Sequence, residues 1–172
     1  MELLIPGLIL VALMVYASTR LKKASARAFE REEIDTGDFT LVKPEGFLHL
    51  LNGDPAFAFQ AYSKEFGTNG SSETRQATID IRKITDQTFE KVCESVKQDG
   101  KVLDDKNFHL DEMRACAVEI EHETGEVETV DHYLIIEAPA TVFELRAVVL
   151  KEHNDDYLRK IDELEESLTI KK

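Results

Sequence analysis

The segment Arg114-Ala115-Cys116-Ala117-Val118-Glu119-Ile120-Glu121-His122 decides the fold, because Cys116, Val118 and Ile120 alternate with polar or small residues. Alternation of this kind is typical of a β-strand with one buried face. The turn sequence Glu123-Thr124-Gly125-Glu126 follows, and a second strand candidate covers residues 130–137. A third covers residues 142–150. Together these segments predict a three-stranded antiparallel meander.

Two segments with helical spacing lie on either side of this meander. In the first, Asp86 or Thr88 can cap a helix, because a side-chain oxygen accepts a hydrogen bond from the first turn. Its apolar residues share one face: Phe89, Val92, Cys93 and Val96. In the second, Asn154 or Asp155 is the expected cap. The apolar face of that closing helix consists of Tyr157, Leu158, Ile161, Leu164 and Leu168.

Short strands are predicted ahead of the first helix, over residues 39–42, 56–66 and 77–82. Residues 101–111 are polar and mixed, and their pattern predicts no element. Strands on both sides of one helix, joined by antiparallel hairpins, are typical of the α+β class. We therefore predict a twisted antiparallel sheet with two main helices packed on it.

The chain of 172 residues has a net charge of −13, which is distributed unevenly. Residues 1–31 contain five Lys and Arg against two Glu, whereas the remainder contains 16 basic and 32 acidic residues. A negative domain is repelled by anionic headgroups, and it lacks the positive footprint that nucleic-acid binding requires. We therefore expect an acidic domain held off the bilayer, with no nucleic-acid partner. A negative surface also promotes solubility without any specific partner.

Residues 3–17 contain no charged side chain. Adding Ser18 and Thr19 brings this segment to the lower limit for a membrane-spanning helix, about 17 residues. Pro6 falls in the first turn, where proline is tolerated, and Tyr16 lies where interfacial aromatics occur. We predict that the α+β domain is preceded by one transmembrane helix, residues 1–19, whose partner is the lipid bilayer. The alternative is a cleaved signal peptide, although no basic residue precedes the apolar run.

Basic residues flank the end of the predicted anchor: Arg20, Lys22, Lys23, Arg27 and Arg31. Because positive flanks stay on the cytoplasmic side of a membrane, we predict a single-pass protein whose C-terminal domain faces the cytoplasm. The alternative is a domain outside the cytoplasm. Residues 20–37 are predicted to form a basic stem, helical to about Glu33, and residues 38–172 the acidic α+β domain.

The segment Phe39-Thr40-Leu41-Val42-Lys43-Pro44-Glu45-Gly46-Phe47 combines a strand with a Pro-x-Gly-aromatic turn, and residues 143–151 and 161–168 form a last strand and closing helix. This order of elements resembles the PsbP-like domain family, which includes a Ran-binding nuclear import factor and many bacterial lipoproteins. The resemblance implies a non-enzymatic binding or assembly domain. Two features depart from it: Phe47 replaces the usual Trp, and the N-terminus has no lipid-bearing Cys. Photosystem or Ran binding does not transfer, since no functional residue matches by position.

His122 and His132 flank the predicted hairpin turn, with several carboxylates nearby. If the two strands pair, these imidazoles could meet and hold a divalent metal. A solvated acidic strand face with incidental histidines explains the same pattern, and we predict no metal site.

Other candidates for chemistry have simpler explanations. His109, Asp111 and Glu112 offer an acid–base pair, but no nucleophile stands beside them. Cys93 could act as a nucleophile, but it lies on an apolar helix face. We predict that Cys93 and Cys116 are free thiols of the core. No catalytic residue is therefore predicted, and the chain is not expected to be an enzyme.

The loop at residues 67–72 is rich in glycine but lacks the Lys-Ser/Thr ending of a phosphate-binding loop, so it is predicted to connect strands. Within it, Asn69-Gly70-Ser71 fits a glycosylation acceptor, which matters only in a glycosylating lumen. No segment of the chain predicts a cofactor.

Two functions remain open. The first is a membrane-tethered, non-enzymatic interaction or assembly module that exposes its acidic domain to the cytoplasm and docks onto a membrane protein complex. The second is a domain, held on either side of the membrane, that binds a small ligand or lipid between sheet and helices. It predicts a pocket lined by Phe57, Phe59, Tyr62 and Phe89, although these aromatics also suit a plain core.

Overall fold

The computed structural model describes residues 4–68, 71–124 and 127–171. Within these ranges the chain forms three α-helices and ten β-strands. The helices are α1 (Leu4–Ala28), α2 (Phe89–Lys97) and α3 (Asn154–Ser167). The strands are β1 (Glu32–Asp35), β2 (Phe39–Lys43), β3 (Phe47–His49), β4 (Phe59–Ser63), β5 (Ala77–Ile84), β6 (Lys101–Leu110), β7 (Met113–Thr124), β8 (Val127–Ala138), β9 (Thr141–Leu150) and β10 (Thr169–Ile170). The predicted α+β class is confirmed.

Seven strands form one antiparallel sheet, in the order β3-β4-β5-β9-β8-β7-β6. The predicted meander lies within it: Cys116 of β7 is opposite Ile135 of β8, and Leu134 of β8 is opposite Leu145 of β9. Residues 125 and 126, in the predicted hairpin turn, lie outside the described residues. The alternating pattern located these strands correctly because successive side chains of a strand point to opposite faces.

Each face of this sheet carries its own hydrophobic cluster. On the face that we call inner, Ile79 and Leu145 pack with Ile161 of α3 and with the residues of a second, smaller sheet. On the outer face, Ile135 packs with Val92 of α2. The two main helices therefore cover opposite faces of the sheet. Burial of their apolar surface stabilises the fold by about 25 cal/mol for each Å² removed from water.

The predicted helix faces are largely confirmed. The buried residues of α2 are Phe89, Val92, Cys93 and Val96, and those of α3 are Tyr157, Ile161 and Leu164. Thr88 caps α2, since its side chain accepts a hydrogen bond from the Lys91 amide at 3.4 Å. In contrast, Leu158 is 37% exposed, because it lies at the margin of the apolar stripe of α3.

The smaller sheet has the order β1-β2-β10. Its first strand was not expected: α1 ends at Ala28, and residues 32–35 pair with β2 instead of continuing a helical stem to Glu33. Ile34 lies opposite Leu41 and is buried. Tertiary burial of this side chain outweighs the favourable helix propensity of Glu32 and Glu33.

Residues 101–110, for which the sequence predicted no element, form the edge strand β6. An edge strand exposes side chains on both faces, so its pattern shows no alternation. The pairing with β7 also shifts between Val102 and Asp104, which marks a β-bulge.

Helix α1 leaves the apolar side chains of residues 11–16 exposed. Between 59% and 64% of the surface of each remains accessible at Val11, Leu13, Met14, Val15 and Tyr16. The helix runs without a break past the predicted boundary at residue 19 and carries Arg20, Lys22, Lys23 and Arg27. Among the residues that are described, no helix combines the length and the apolar character that crossing a membrane requires.

Candidate functional site

The last residue of β2, Lys43, has a side chain buried completely at the end of α1. Its ammonium donates hydrogen bonds to three carbonyl oxygens: Ala28 at 3.3 Å, Glu30 at 2.6 Å and Phe47 at 2.7 Å. A lysine ammonium has three N–H donors, so this contact set uses all of them. We refer to Lys43, the end of α1 and the turn at residues 44–46 as the junction.

The junction places the positive charge of Lys43 beside backbone carbonyl oxygens. Burial lowers the pKa of Lys43, while the nearby Glu32 carboxylate acts in the opposite direction. The last carbonyls of a helix have no partner inside the helix, and they form the negative end of its dipole. Lys43 therefore serves as a side-chain cap for α1 and attaches that helix to the domain.

A second contact fixes the same helix end. The Gly46 amide donates to the Phe29 carbonyl at 2.7 Å, and the Gly46 carbonyl accepts from the Lys64 amide at 3.0 Å. Gly46 has a φ of +92°, which a residue with a side chain rarely adopts. A Cβ at this position would also lie 3.2 Å from Lys160 Nζ of α3. The turn thus joins α1, the start of β3 and α3 in one small volume.

A cleft of about 520 Å³ opens beside the junction, between the turn and the first half of α3. Its charged walls carry both signs: Arg31, Arg159 and Lys160 with Glu45, Glu65, Asp156 and Glu163. Two contacts order its floor. The Tyr157 hydroxyl donates to Gln76 Oε1 at 3.1 Å, and Lys160 Nζ lies 5.0 Å from the Tyr157 ring centre. Such walls suit a polar ligand better than a lipid chain.

The two histidines of the metal hypothesis do not meet. His122 lies on the outer face, where its Nε2 is 3.5 Å from Asp131 Oδ2. Arg146 donates to that same carboxylate oxygen from Nε at 2.9 Å and from Nη2 at 2.5 Å. The Thr129 hydroxyl donates to Asp131 Oδ1 at 3.1 Å. Asp131 is completely buried, so this network neutralises a carboxylate inside the domain.

His132 lies on the inner face, one residue further along β8. Its Nε2 is 2.8 Å from Asn154 Oδ1, at the start of α3, and its Nδ1 is 3.7 Å from Glu119 Oε1. His132 is buried, so the alternative of a solvated acidic face is also wrong at this position. Because an amide oxygen only accepts hydrogen bonds, Nε2 carries the proton in this contact and ties α3 to the sheet.

A groove beside His132 is lined by carboxylates of α3 and β7 and by Lys106 of β6. Burial raises the pKa of Glu165 to about 7, and repulsion from Asp162 and Glu119 adds to that increase. Within residues 4–68, 71–124 and 127–171, no three His, Cys, Asp or Glu side chains are grouped so that they could hold a metal ion.

The remaining sequence candidates occupy structural positions. Asp111 and Glu112 form the turn between β6 and β7, with φ of +49° and +72°. Such values define a tight hairpin turn, so local geometry accounts for this pair. Near the glycine loop, Ser71 donates to the Thr68 carbonyl at 2.8 Å, whereas Asn69 and Gly70 of the glycosylation pattern lie outside the described residues.

The four aromatics proposed to line a pocket do not meet in one place, although Phe57 and Phe59 line the same surface depression. Phe59 belongs to the inner cluster and Phe89 to the outer one, so the sheet separates them. Tyr62 instead stacks with Arg75, whose guanidinium carbon is 4.4 Å from the ring centre. These residues cannot line one cavity between sheet and helices.

Sequence reasoning missed Lys43, although a signal was present. Phe39 and Leu41 of the same strand are buried, and Lys43 continues their alternation onto the core face. A lysine at a core position of a strand indicates a buried, fully hydrogen-bonded charge. The cleft beside the junction left no comparable signal, since its walls come from distant parts of the chain.

No family model and no curated protein matches this sequence. Solved structures do match in fold. A protein of Bacteroides thetaiotaomicron is 10% identical with a TM-score of 0.56; the match covers 84% of this chain but only 49% of that protein, so the chain spans about half of its length. LpqN of Mycobacterium tuberculosis, involved in cell envelope biogenesis, is 15% identical with a TM-score of 0.58, over 83% of this chain and 91% of LpqN.

The cyanobacterial PsbP protein of Synechocystis is 9% identical with a TM-score of 0.52, and the match covers 83% of this chain and 92% of that protein. Identities at this level establish a common fold and leave function open. The resemblance noted in the sequence is thereby confirmed at the level of architecture: this chain has a PsbP-like fold.

Proposed function

We propose that this protein is a membrane-tethered, non-enzymatic interaction or assembly module, in which α1 crosses a bilayer and the acidic domain docks onto a membrane protein complex. The observation that carries this proposal is the contrast along α1. Its apolar side chains remain exposed near Leu13, whereas its C-terminal end is fixed to the domain by Lys43. An apolar helix that ends in a rigid attachment fits an anchor better than a loose tail.

Helix α1 extends well past the predicted span. Its 25 residues are roughly 37 Å long at the helical rise, of which the part before Arg20 accounts for about 24 Å, against about 30 Å for the hydrocarbon core. If Arg20 lies at the membrane surface, Ala28 is roughly 12 Å beyond it. That distance slightly exceeds the Debye length of about 8–10 Å in physiological salt. The junction would therefore hold the negative domain where repulsion from anionic headgroups is weak.

The flanking charges support a domain in the cytoplasm. Arg20, Lys22, Lys23, Arg27 and Arg31 all follow the apolar run, and positive flanks stay inside. The similarity to LpqN, which is involved in cell envelope biogenesis, makes the opposite side the natural alternative. Both orientations use the same anchor and the same junction, so a topology measurement separates them.

The cleft at the junction supports a second candidate, the binding of a small ligand by the tethered domain. Its volume of about 520 Å³ falls within the range of ligand sites, about 300–1,000 Å³. Its charged walls favour a polar ligand, in contrast to the aromatic pocket expected from the sequence. Saturable binding of a polar ligand to the wild-type protein, lost in the Lys160→Glu variant, would favour this candidate.

Membrane fractionation tests the principal proposal. The full chain is expected to stay in the membrane pellet after alkaline carbonate washing. The double variant Leu13→Arg with Val15→Arg is expected to move to the supernatant, because each central arginine opposes insertion by about 2.5 kcal/mol or more. The matched control, Ser18→Arg with Thr19→Arg, adds the same charge at the end of the span and should stay in the pellet. A wild-type chain found entirely in the supernatant would refute the tether.

Protease added to sealed vesicles from each side then determines the orientation. The domain is expected to be cleaved only when the protease has access to the cytoplasmic face. Cleavage from the opposite face alone would reverse the predicted orientation while leaving the tether intact.

A further inference from the structure

The cleft at the junction keeps charges of opposite sign apart. Three basic and four acidic side chains line it. Arg159 and Glu163 pair with one another, with 2.6 Å between Nη1 and Oε1, and Asp156 Oδ2 lies 3.3 Å from His153 Nδ1. The other four charged side chains of the cleft make no ion pair within the described part of the chain: Arg31, Glu45, Glu65 and Lys160.

The Lys160 ammonium is held on the floor of the cleft. Its Nζ lies 5.0 Å from the centre of the Tyr157 ring, and a Cβ on Gly46 would lie 3.2 Å from it. The floor itself is fixed, because Tyr157 is 4% exposed and its hydroxyl donates to Gln76 Oε1 at 3.1 Å. An ammonium in this position can donate charge-assisted hydrogen bonds to an anionic group that enters the cleft.

The two unpaired carboxylates extend from backbone that is tied in place. Glu45 precedes Gly46, whose carbonyl accepts from the Lys64 amide at 3.0 Å. Glu65 follows Lys64, and its own carbonyl accepts from the Gln76 amide at 3.1 Å. These carboxylates can accept hydrogen bonds from a positively charged group that enters the same cleft.

We propose that the cleft binds a small zwitterion, of the class of free amino acids and dipeptides, whose carboxylate meets Lys160 and Arg31 and whose ammonium meets Glu45 and Glu65. This inference rests on the second candidate function, the binding of a small ligand by the tethered domain. A ligand of one sign fits less well, since an anion faces four carboxylates and a cation faces three basic groups. Charges that are already held apart need little rearrangement when the ligand binds, which favours affinity.

Calorimetric titration of the full chain in detergent, near neutral pH, tests this proposal with three related probes. Alanyl-alanine is the zwitterion, its N-acetyl derivative keeps only the carboxylate, and its C-terminal amide keeps only the ammonium. Alanyl-alanine is expected to bind saturably. Each derivative should bind about tenfold more weakly or worse, because it lacks one set of charge-assisted hydrogen bonds.

Two variants then locate the ligand. Lys160→Met should remove the preference for alanyl-alanine over its amide, since the carboxylate has lost its main partner. Glu65→Gln should reduce the preference over the N-acetyl derivative. The matched controls are Lys83→Met and Glu166→Gln, at exposed positions outside the cleft, and both should bind alanyl-alanine as the wild type does.

The wild-type titrations can refute the proposal, whatever the variants do. Equal affinity for alanyl-alanine and one of its derivatives would exclude a zwitterion site while leaving ligand binding intact. Absence of saturable binding at millimolar concentrations of all three probes would exclude the proposed ligand class. If inorganic phosphate and putrescine then fail to bind as well, the second candidate function is also wrong. Unchanged preferences in both variants would place the bound dipeptide outside this cleft and overturn the assignment.

Discussion

The junction and the outer face of the sheet bury charge in two different ways. Lys43 has no carboxylate as a hydrogen-bond partner, and three backbone carbonyls surround its ammonium. Asp131 is neutralised by a full opposite charge, the Arg146 guanidinium. Carbonyl dipoles can replace water around an ion only when the chain is already folded around it, whereas an ion pair moves with its two side chains. Loss of the Lys43 contacts is therefore expected to affect the attachment of α1 to the domain. Loss of the Asp131–Arg146 pair is expected to affect the sheet alone.

The largest effect is expected when the ion pair is broken on one side. Arg146→Met leaves the completely buried Asp131 carboxylate without its cation, and such losses typically cost about 3–5 kcal/mol. The free energy of unfolding, measured with urea in detergent at pH 8, should fall by about 3 kcal/mol, since part of Arg146 is exposed to solvent.

The double variant Asp131→Asn with Arg146→Met supplies the control. It removes both charges, so most of the lost stability should return. If the double variant is as unstable as Arg146→Met, the loss comes from packing of the arginine stem and the electrostatic explanation is wrong.

Lys43→Met should have a smaller effect on stability and a local effect on α1. Removing the ammonium leaves three carbonyl oxygens without a donor, at a cost of about 2 kcal/mol once the gain from not burying a charge is included. Trypsin should then cleave faster after Arg27 and Arg31, because the end of α1 is released. Mass spectrometry of brief digests measures both sites.

The matched control is Lys83→Met, at an exposed lysine that pairs with Asp38 on the surface. Surface ion pairs contribute little, so its stability and cleavage should match the wild type. Equal cleavage after Arg27 in the Lys43→Met and wild-type proteins would show that Lys43 does not hold the helix.

The sequence predicted the meander and both main helices because their patterns are local. Cys116, Val118 and Ile120 alternate within one strand, and Val92 and Val96 recur within one helix. The small sheet could not be predicted in this way, since β1 and β10 lie far apart in sequence and meet only on β2. The junction is non-local for the same reason: Lys43 could be recognised as a core position, but its carbonyl partners belong to the preceding helix end and the following strand.

Glu165 offers a third arrangement, a carboxylate placed near two other carboxylates, and its effect on stability should depend on pH. Burial and the neighbouring carboxylates Asp162 and Glu119 raise its pKa in the folded chain from 4.5 to about 7. A raised folded pKa means that the stabilising contribution is complete below pH 4.5 and is lost as the pH rises through about 7. The free energy of unfolding of the Glu165→Gln variant should therefore exceed that of the wild type by ~2 kcal/mol at pH 8 and equal it at pH 4.5.

Urea titrations at both pH values measure this difference. The control is Glu166→Gln, at an exposed neighbour on α3, which should leave the free energy of unfolding unchanged at both pH values. A gain from Glu165→Gln that is the same at both pH values would show that repulsion and burial of charge do not act here.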